Sequence, residues 1–424
     1  MSRWTRREFG AFAGAACLTT FAPSLARSQA KARVVVIGGG VGGATVAKYL
    51  AASGEPIEVT LVEPKPRYTT CFFSNHYLAG LRSLDSLTHG YAALSERYGI
   101  KVIHESAAAV DPVAKTVDLA SGTKLSYDRL VLAPGVAFKL GGIEGYDEAA
   151  SEVMPHAWNA GPQSELLRRQ LESMENGGVF VIAVPPDPFR CPPAPYERAS
   201  LVAYYFKQYK PRSKVLILDA KDSFKPQDVF EDAWNRHYPG MIEWLPAQFT
   251  GGVKAVDVKS RSVITEADTF KAAVANVIPA QSAGALAQQT GLTNDKGWCP
   301  VDPATFESTL QPDIHLVGDA IVGGDMPKSA FSANSQAKVC AFVIAAALTG
   351  APRFAPHLFN TCYTFLAPDD AFSNALDFQP DAEAGKIKVI NTFVSKPGES
   401  VEVRRQCARS AVGWYGAFTH DTFG

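Results

Sequence analysis

The chain has 424 residues, 46% of them hydrophobic and 20% charged, with a formal net charge of -1. That composition suits a globular protein of two or three cored domains rather than a disordered chain, and its balanced charge offers no field for a polyanion such as nucleic acid. Beyond residue 30 no stretch is expected to supply the roughly 18 consecutive apolar residues of a membrane span, so the mature chain is expected to be soluble or at most peripheral, without a transmembrane segment.

Residues 1–30 read as a targeting segment. Arg6 and Arg7 precede an apolar run from Gly10 to Phe21 and a small-residue region through Ala26 and Ala30, the pattern of a twin-arginine export signal. That route carries folded proteins to the periplasm. A Sec signal with a chance arginine pair leads to the same oxidising compartment, where cysteine pairs can be disulfides.

Arg33 to Ile37 is an apolar strand that runs into Gly38-Gly39-Gly40-Val41-Gly42-Gly43 and a helix beginning near Gly42. Strand, glycine turn and helix in that order make a dinucleotide-binding unit. Gly38 allows the tight turn, Gly40 lets a pyrophosphate approach the backbone, and Gly43 lets helix pack closely on strand. A second strand, Ile57 to Val62, ends at Glu63, twenty positions beyond Gly43, where a carboxylate can take ribose hydroxyls. Cys71 follows. Tyr127 to Gly135 is then a buried strand that ends in a glycine turn containing Ala133 and Gly135.

Two further strands, Gly178 to Val184 and Lys214 to Leu218, the second ending at Asp219, begin another module of the same kind. After the first of them stands Pro185-Pro186-Asp187-Pro188-Phe189-Arg190-Cys191-Pro192-Pro193-Ala194-Pro195, with no glycine turn. Prolines lack the N–H donors that cradle a pyrophosphate, so the module is expected to keep its strands and to lack an NAD site. The loop is either part of a substrate site or a rigid connector.

Asp313 to Ala320 is a strand ending in Gly318-Asp319. With the two earlier glycine turns it resembles the signatures of the two-dinucleotide-binding-domain flavoproteins, which implies FAD, held by Gly318 and Asp319 near its ribityl and pyrophosphate region. Met326-Pro327-Lys328-Ser329 reads as a helix start before an apolar run to Leu348. The positive end of that helix, with Lys328, would face the flavin and favour its reduced anion. Asn334 and Gln336 belong either to that site or to the polar positions of the helix.

Of seven cysteines, Cys17 lies in the leader. Cys340 reads as a packed core thiol, and Cys299 and Cys407 as structural. Cys191 stands apart because its proline loop occupies the place of a nucleotide turn, and Cys71 because it follows the strand before Glu63.

Tyr68-Thr69-Thr70-Cys71-Phe72-Phe73-Ser74-Asn75, Met154-Pro155-His156-Ala157-Trp158, Cys191-Pro192-Pro193-Ala194-Pro195-Tyr196-Glu197-Arg198-Ala199, Gly297-Trp298-Cys299-Pro300-Val301 and Thr361-Cys362-Tyr363 together resemble the flavoprotein subunit of flavocytochrome c sulfide dehydrogenase. Sulfide:quinone oxidoreductases belong to the same larger group. The resemblance implies a covalent bond from Cys71 to the flavin, and a redox disulfide between Cys191 and Cys362 beside it. Hydrosulfide would open that disulfide, leaving a persulfide on Cys191 and a thiolate on Cys362 that adds to the flavin. Glu197 is either an acid/base for those protons, if burial raises its pKa, or a surface carboxylate on the following helix. The electrons would leave to a c-type cytochrome subunit. This chain has no Cys-x-x-Cys-His, so any haem c must come with that partner. No metal site is expected.

The fold class implied is α/β: two Rossmann-like dinucleotide-binding domains of the glutathione-reductase kind and a C-terminal interface domain. The expected division is a signal at 1–30, an FAD domain at 31–150 and again at 275–349, a nucleotide-like domain without NAD at 151–274, and an interface domain at 350–424, where Trp414 and Tyr415 could meet the cytochrome. A quinone-reducing enzyme would want an amphipathic membrane-binding tail, and 401–424 suggests no sustained apolar face. A non-catalytic electron-transfer or sulfur-carrier subunit would need no reactive disulfide.

Overall fold

The computed structural model describes residues 31–352 and 354–424, so the export signal expected at 1–30 lies outside the described residues. The β-branched run Val34-Val35-Val36-Ile37 suits a strand buried on both faces. It becomes the middle of a parallel sheet whose strands lie in the order Ile314–Leu316, Arg129–Leu132, Ala32–Ile37, Ile57–Val62, Lys101–Ile103. Helix Val41–Ala51 and the long helix Ala330–Thr349 pack against each other beside it.

A second parallel sheet, in the order Ile242–Leu245, Lys214–Asp219, Val179–Val184, Val274–Val277, forms the central module. Strand Val274–Val277 straddles the border expected at 274/275, so the module ends after residue 277. The expected doubly wound pair is thus present. Helix Ala194–Tyr209 follows the proline loop and covers this second sheet.

The C-terminal module is an antiparallel sheet, Leu358–Ala367, Asp370–Asp381 and Lys386–Val394, followed by helix Val401–Phe423. That helix does have a sustained face, contrary to the reading of its sequence. Ala408, Ala411, Tyr415, Phe418 and Thr422 recur every three or four residues and are buried, with Arg404 continuing the stripe. The stripe is used inside the protein. Lys48, from the helix behind the glycine turn, donates to the carbonyls of His420, Asp421 and Gly424 at 3.1, 2.9 and 2.7 Å, a cation placed on the negative end of the last helix.

Helix Ala330–Thr349 is, by length and composition, apolar enough to cross a membrane, which the count of consecutive apolar residues missed. Most of it is buried between helix Val41–Ala51 and strand Leu358–Ala367, as befits a core helix.

Candidate functional site

At Gly38, φ is +99° and a Cβ would stand 2.4 Å from the Ala133 carbonyl oxygen; a Cβ on Gly43 would stand 1.9 Å from the Gly38 carbonyl oxygen. Only hydrogen fits at either place. The helix is therefore drawn tight onto its strand, and its first N–H groups, which no side chain caps, open towards a cavity lined by Gly40 and Val41. Glu63 is fixed at this turn, where its two oxygens accept the Gly39 N–H at 2.8 Å and the Lys65 N–H at 3.0 Å.

The cavity encloses about 690 Å³ and is shared by all three modules. Gly38, Gly40, Glu63, Cys71, Ala133, Gly135, Gly318 and Asp319 line it from the first module, Cys191 and Glu197 from the second, and Cys362 from the third. Gly43 does not line it and serves the packing alone. Asp319 leaves Oδ1 buried without a partner, while Oδ2 lies 4.0 Å from Arg190 Nη1. Burial pushes this carboxyl up, and the Arg190 and Lys328 cations oppose the shift. A buried acceptor left over beside a cavity calls for a donor from whatever fills it. A helix N-terminus for a pyrophosphate, a fixed carboxylate for a ribose and an orphaned acceptor for a hydroxyl fit a flavin dinucleotide.

Helix Ala330–Thr349 starts at the same cavity, capped by Ser329, which accepts the Ser332 N–H at 3.1 Å. Lys328 departs from expectation. It does not line the cavity: its Nζ donates to the carbonyls of Asp319 and Ile321 at 2.8 and 2.7 Å and lies 3.7 Å from the centre of the Trp298 ring. The ammonium, pushed down to about 8 by desolvation, braces the Gly-Asp turn from within the protein. Gln336 and Asn334 are likewise structural. Gln336 accepts the Gly318 N–H at 2.8 Å, and Asn334 donates to Thr45 at 3.1 Å and Asp421 at 2.9 Å.

Cys191 has φ +58°, a left-handed backbone that the following Pro192 makes harder to adopt. Two bonds hold it there: its N–H donates to the Lys328 carbonyl at 2.8 Å, and its own carbonyl accepts the Ala194 N–H at 3.0 Å. Cys362 comes from Leu358–Ala367, the edge strand of its sheet, with the Asn360 amide 3.4 Å from its sulfur. Edge strands leave N–H groups unpaired. Here Phe359 donates to Ser335 Oγ at 3.0 Å and Phe365 to Glu197 Oε1 at 2.9 Å, which docks the strand onto both other modules. Cys71, Cys191 and Cys362 carry free thiols. Burial raises the Cys191 and Cys362 thiols, and the charge of Cys362 is the next influence on Cys191.

Glu197 is no surface carboxylate. It lines the cavity, and desolvation pushes it up to about 7 against the bonds from Phe365 and Asn75 and the charge of Arg198. Asn75, Arg190 and Arg198 were not foreseen as site residues. Arg190 lines the cavity and donates to the Trp158 carbonyl and, at 2.9 Å, to Asn159 Oδ1. Their sequence signal was position, four residues after Cys71 or immediately beside Cys191 and Glu197, and for Asn75 and Arg198 a place in the segments that carry the resemblance. Trp414, expected at a partner surface, also lines the cavity and stacks on Phe331 at 6.2 Å. Among the described residues no cluster of three or more metal-ligating side chains occurs.

The central module uses its equivalent positions differently. Asp219, at the end of the second strand, is fully buried and accepts from Tyr196 Oη, from Trp244 Nε1 at 3.0 Å and from Lys221 Nζ at 2.7 Å. Tyr196 stacks on Phe224 with ring centres 3.6 Å apart.

Residues 164–279 match the family model of the central region of the flavocytochrome c sulfide dehydrogenase flavoprotein chain. Residues 354–423 match the model of its flavin-binding region, and 32–169 that of pyridine nucleotide-disulphide oxidoreductases. The chain is 63% identical over 43 residues to the sulfide dehydrogenase [flavocytochrome c] flavoprotein chain of Chlorobaculum thiosulfatiphilum, covering 10% of this chain and 90% of that one. It is 33% identical over 182 residues to the sulfide-quinone reductase of Aquifex aeolicus, covering 43% of this chain and only 41% of that enzyme's length. The mouse mitochondrial sulfide:quinone oxidoreductase is 22% identical, over 68% of this chain and 65% of its own. The solved structure of the Aquifex aeolicus sulfide:quinone oxidoreductase superposes with a TM-score of 0.75 at 21% identity, covering 92% of each chain. The chain therefore belongs to the flavoprotein chains of flavocytochrome c sulfide dehydrogenase, a sulfide-oxidising flavoprotein family related to the sulfide:quinone oxidoreductases.

Proposed function

We propose that the chain is the FAD-bearing subunit of a periplasmic sulfide:cytochrome c oxidoreductase, exported by the twin-arginine route. The observation that carries this reading is the convergence of Cys191, Cys362 and Glu197 on the cavity that also holds the glycine turn and Cys71. FAD, when bound, supplies a two-electron acceptor and the link to a c-type cytochrome subunit that brings its own haem.

The N–H groups beside Gly40 would hold the pyrophosphate, Glu63 a ribose, and Gly318 and Asp319 the ribityl chain. Cys71 would bond to the flavin 8α-methyl carbon and so retain it where it cannot be resupplied. With Cys191 and Cys362 joined, hydrosulfide attacks the Cys191 sulfur. The S–S bond breaks, Cys191 keeps a persulfide and Cys362 leaves as a thiolate. Glu197 takes the persulfide proton. A second hydrosulfide would take the outer sulfur of that persulfide away as polysulfide or sulfur and leave Cys191 as a thiolate, and the two thiolates would rejoin as the disulfide by giving up two electrons to the acceptor that FAD supplies. A quinone acceptor is the second reading, favoured by the likeness to the Aquifex aeolicus enzyme.

Anaerobic sulfide is expected to bleach the flavin of the purified protein. Cys191→Ser and Cys362→Ser each slow that bleaching by about a thousandfold or more, as expected when a nucleophilic step is lost, while dithionite still reduces the flavin. Normal bleaching in both variants would overturn the mechanism. Yellow colour should stay with the acid-precipitated polypeptide and be released by Cys71→Ala. Turnover with a soluble quinone and none with cytochrome c would decide for the second reading.

A further inference from the structure

We propose that Asn75 is a positioning residue for Glu197: its side-chain amide holds one carboxylate oxygen and ties it to the buried cation of Arg198. The proposal rests on the acid/base reading of Glu197 given above.

Asn75 lies in the short helix Ser74–Leu78 and is buried. Its orientation follows from chemistry. A guanidinium has only donors, so Arg198 Nε, 3.0 Å away, must face Asn75 Oδ1. Nδ2 is then the atom that donates to Glu197 Oε2 at 2.7 Å, with the Ala194 carbonyl 3.3 Å away as a second acceptor. The reversed amide would set donor against donor and oxygen against carboxylate.

Arg198 cannot swing to follow a different partner. Its Nη1 donates to the His156 carbonyl at 3.1 Å and to Asn276 Oδ1 at 2.7 Å, its Nη2 to the Ala157 carbonyl at 2.8 Å, and its guanidinium carbon lies 4.9 Å from the centre of the Trp158 ring. Asn276 is itself held by bonds of 2.7 Å to the carbonyls of Pro155 and His156. A rigid chain of hydrogen bonds therefore runs from the central sheet through Arg198 and Asn75 to the carboxylate.

The remaining oxygen, Oε1, is taken by the Phe365 N–H, three residues beyond Cys362. Both bonds favour the ionised carboxylate and burial opposes it. The titratable and charged groups that face Glu197 are Arg198 on its own helix, Cys191 from the loop before it and Cys362 from the edge strand. Asn75 supplies one of the two donors, and so governs whether Glu197 can accept a proton near neutrality.

The test titrates the Glu197 carboxyl by infrared difference spectroscopy on the flavin-loaded full chain, with Glu197→Gln identifying the band. Asn75→Ala removes the donor and is expected to raise the midpoint by about one to two pH units, ten- to a hundredfold in proton affinity. Asn75→Asp is nearly isosteric, keeps the acceptor for Arg198 and sets a second carboxylate against the first, so it raises the midpoint further even where the alanine variant fails to load flavin. An unmoved midpoint in Asn75→Asp overturns the proposal. A midpoint that moves while the pH profile of bleaching by sulfide does not would uphold the role of Asn75 and remove Glu197 from the proton transfer.

Discussion

The first and central modules share a plan of parallel strands, a connecting turn and a covering helix, yet one opens onto a cavity and the other is filled. In the first, the turn is glycine and an Asp319 oxygen at the cavity has no partner. In the second, the turn is a proline loop, Tyr196 and Phe224 stack in the core, and Asp219 is surrounded by four donors from its own module, three side chains and the Lys221 N–H. Glycines and an unpartnered acceptor facing the cavity mark the half that receives a ligand. A carboxylate bonded within its own core marks the half that became scaffold, and its loop then carries Cys191 to the shared cavity.

The contrast can be broken most severely from the open side. Gly43→Val would force a side chain onto the Gly38 carbonyl oxygen, which stands 1.9 Å from a Cβ at that position. The helix must lift from its strand, and the purified variant is expected to carry no flavin absorbance. A yellow variant would mean that the close approach is not needed.

The filled side should respond in stability rather than in flavin. Asp219→Ala leaves the Lys221 ammonium, the Tyr196 hydroxyl and the Trp244 N–H without their acceptor. That costs about 3–5 kcal/mol in urea unfolding, the range for a buried ion pair that loses one partner, while the flavin spectrum is unchanged. NADH should bleach neither wild type nor variant. Bleaching by NADH would erase the distinction between the two modules.

The smallest effect sharpens the comparison where the modules meet. Glu197 has a carboxyl raised to about 7 by desolvation, so below that pH it is protonated and cannot accept a proton. The rate of flavin bleaching by sulfide should rise up to about tenfold per pH unit below 7 and level off above it. Taking the ratio of wild type to Glu197→Gln removes the titration of sulfide itself. A ratio independent of pH would leave Glu197 a purely structural carboxylate.

Much of this was legible in the sequence because it is local. A glycine turn, an acid one strand later and a Gly-Asp pair each declare themselves within a few residues, and the structure brings Gly38, Gly40, Glu63, Gly318 and Asp319 to one cavity. Lys328 was misread because position gives the neighbourhood of a side chain and not its direction, and two carbonyls and an indole ring claimed its ammonium. The partners of Glu197 were illegible for another reason. Asn75 and Phe365 lie 122 and 168 positions from it, and neither has a composition that points to a carboxylate. The buried stripe of the last helix escaped notice because Ala, Thr and Arg serve in it beside Tyr and Phe.

Cys191 carries a consequence for how this protein can change over time. A non-glycine residue at positive φ gives up about 1–3 kcal/mol, and glycine, freely at home there, would recover much of it. Stability alone therefore pulls position 191 towards glycine, and only use of its sulfur pulls it back. A lineage with no use for the thiol would gain robustness by discarding it, so on the mechanism proposed above position 191 stands under two opposed selections, one for backbone ease and one for sulfur chemistry.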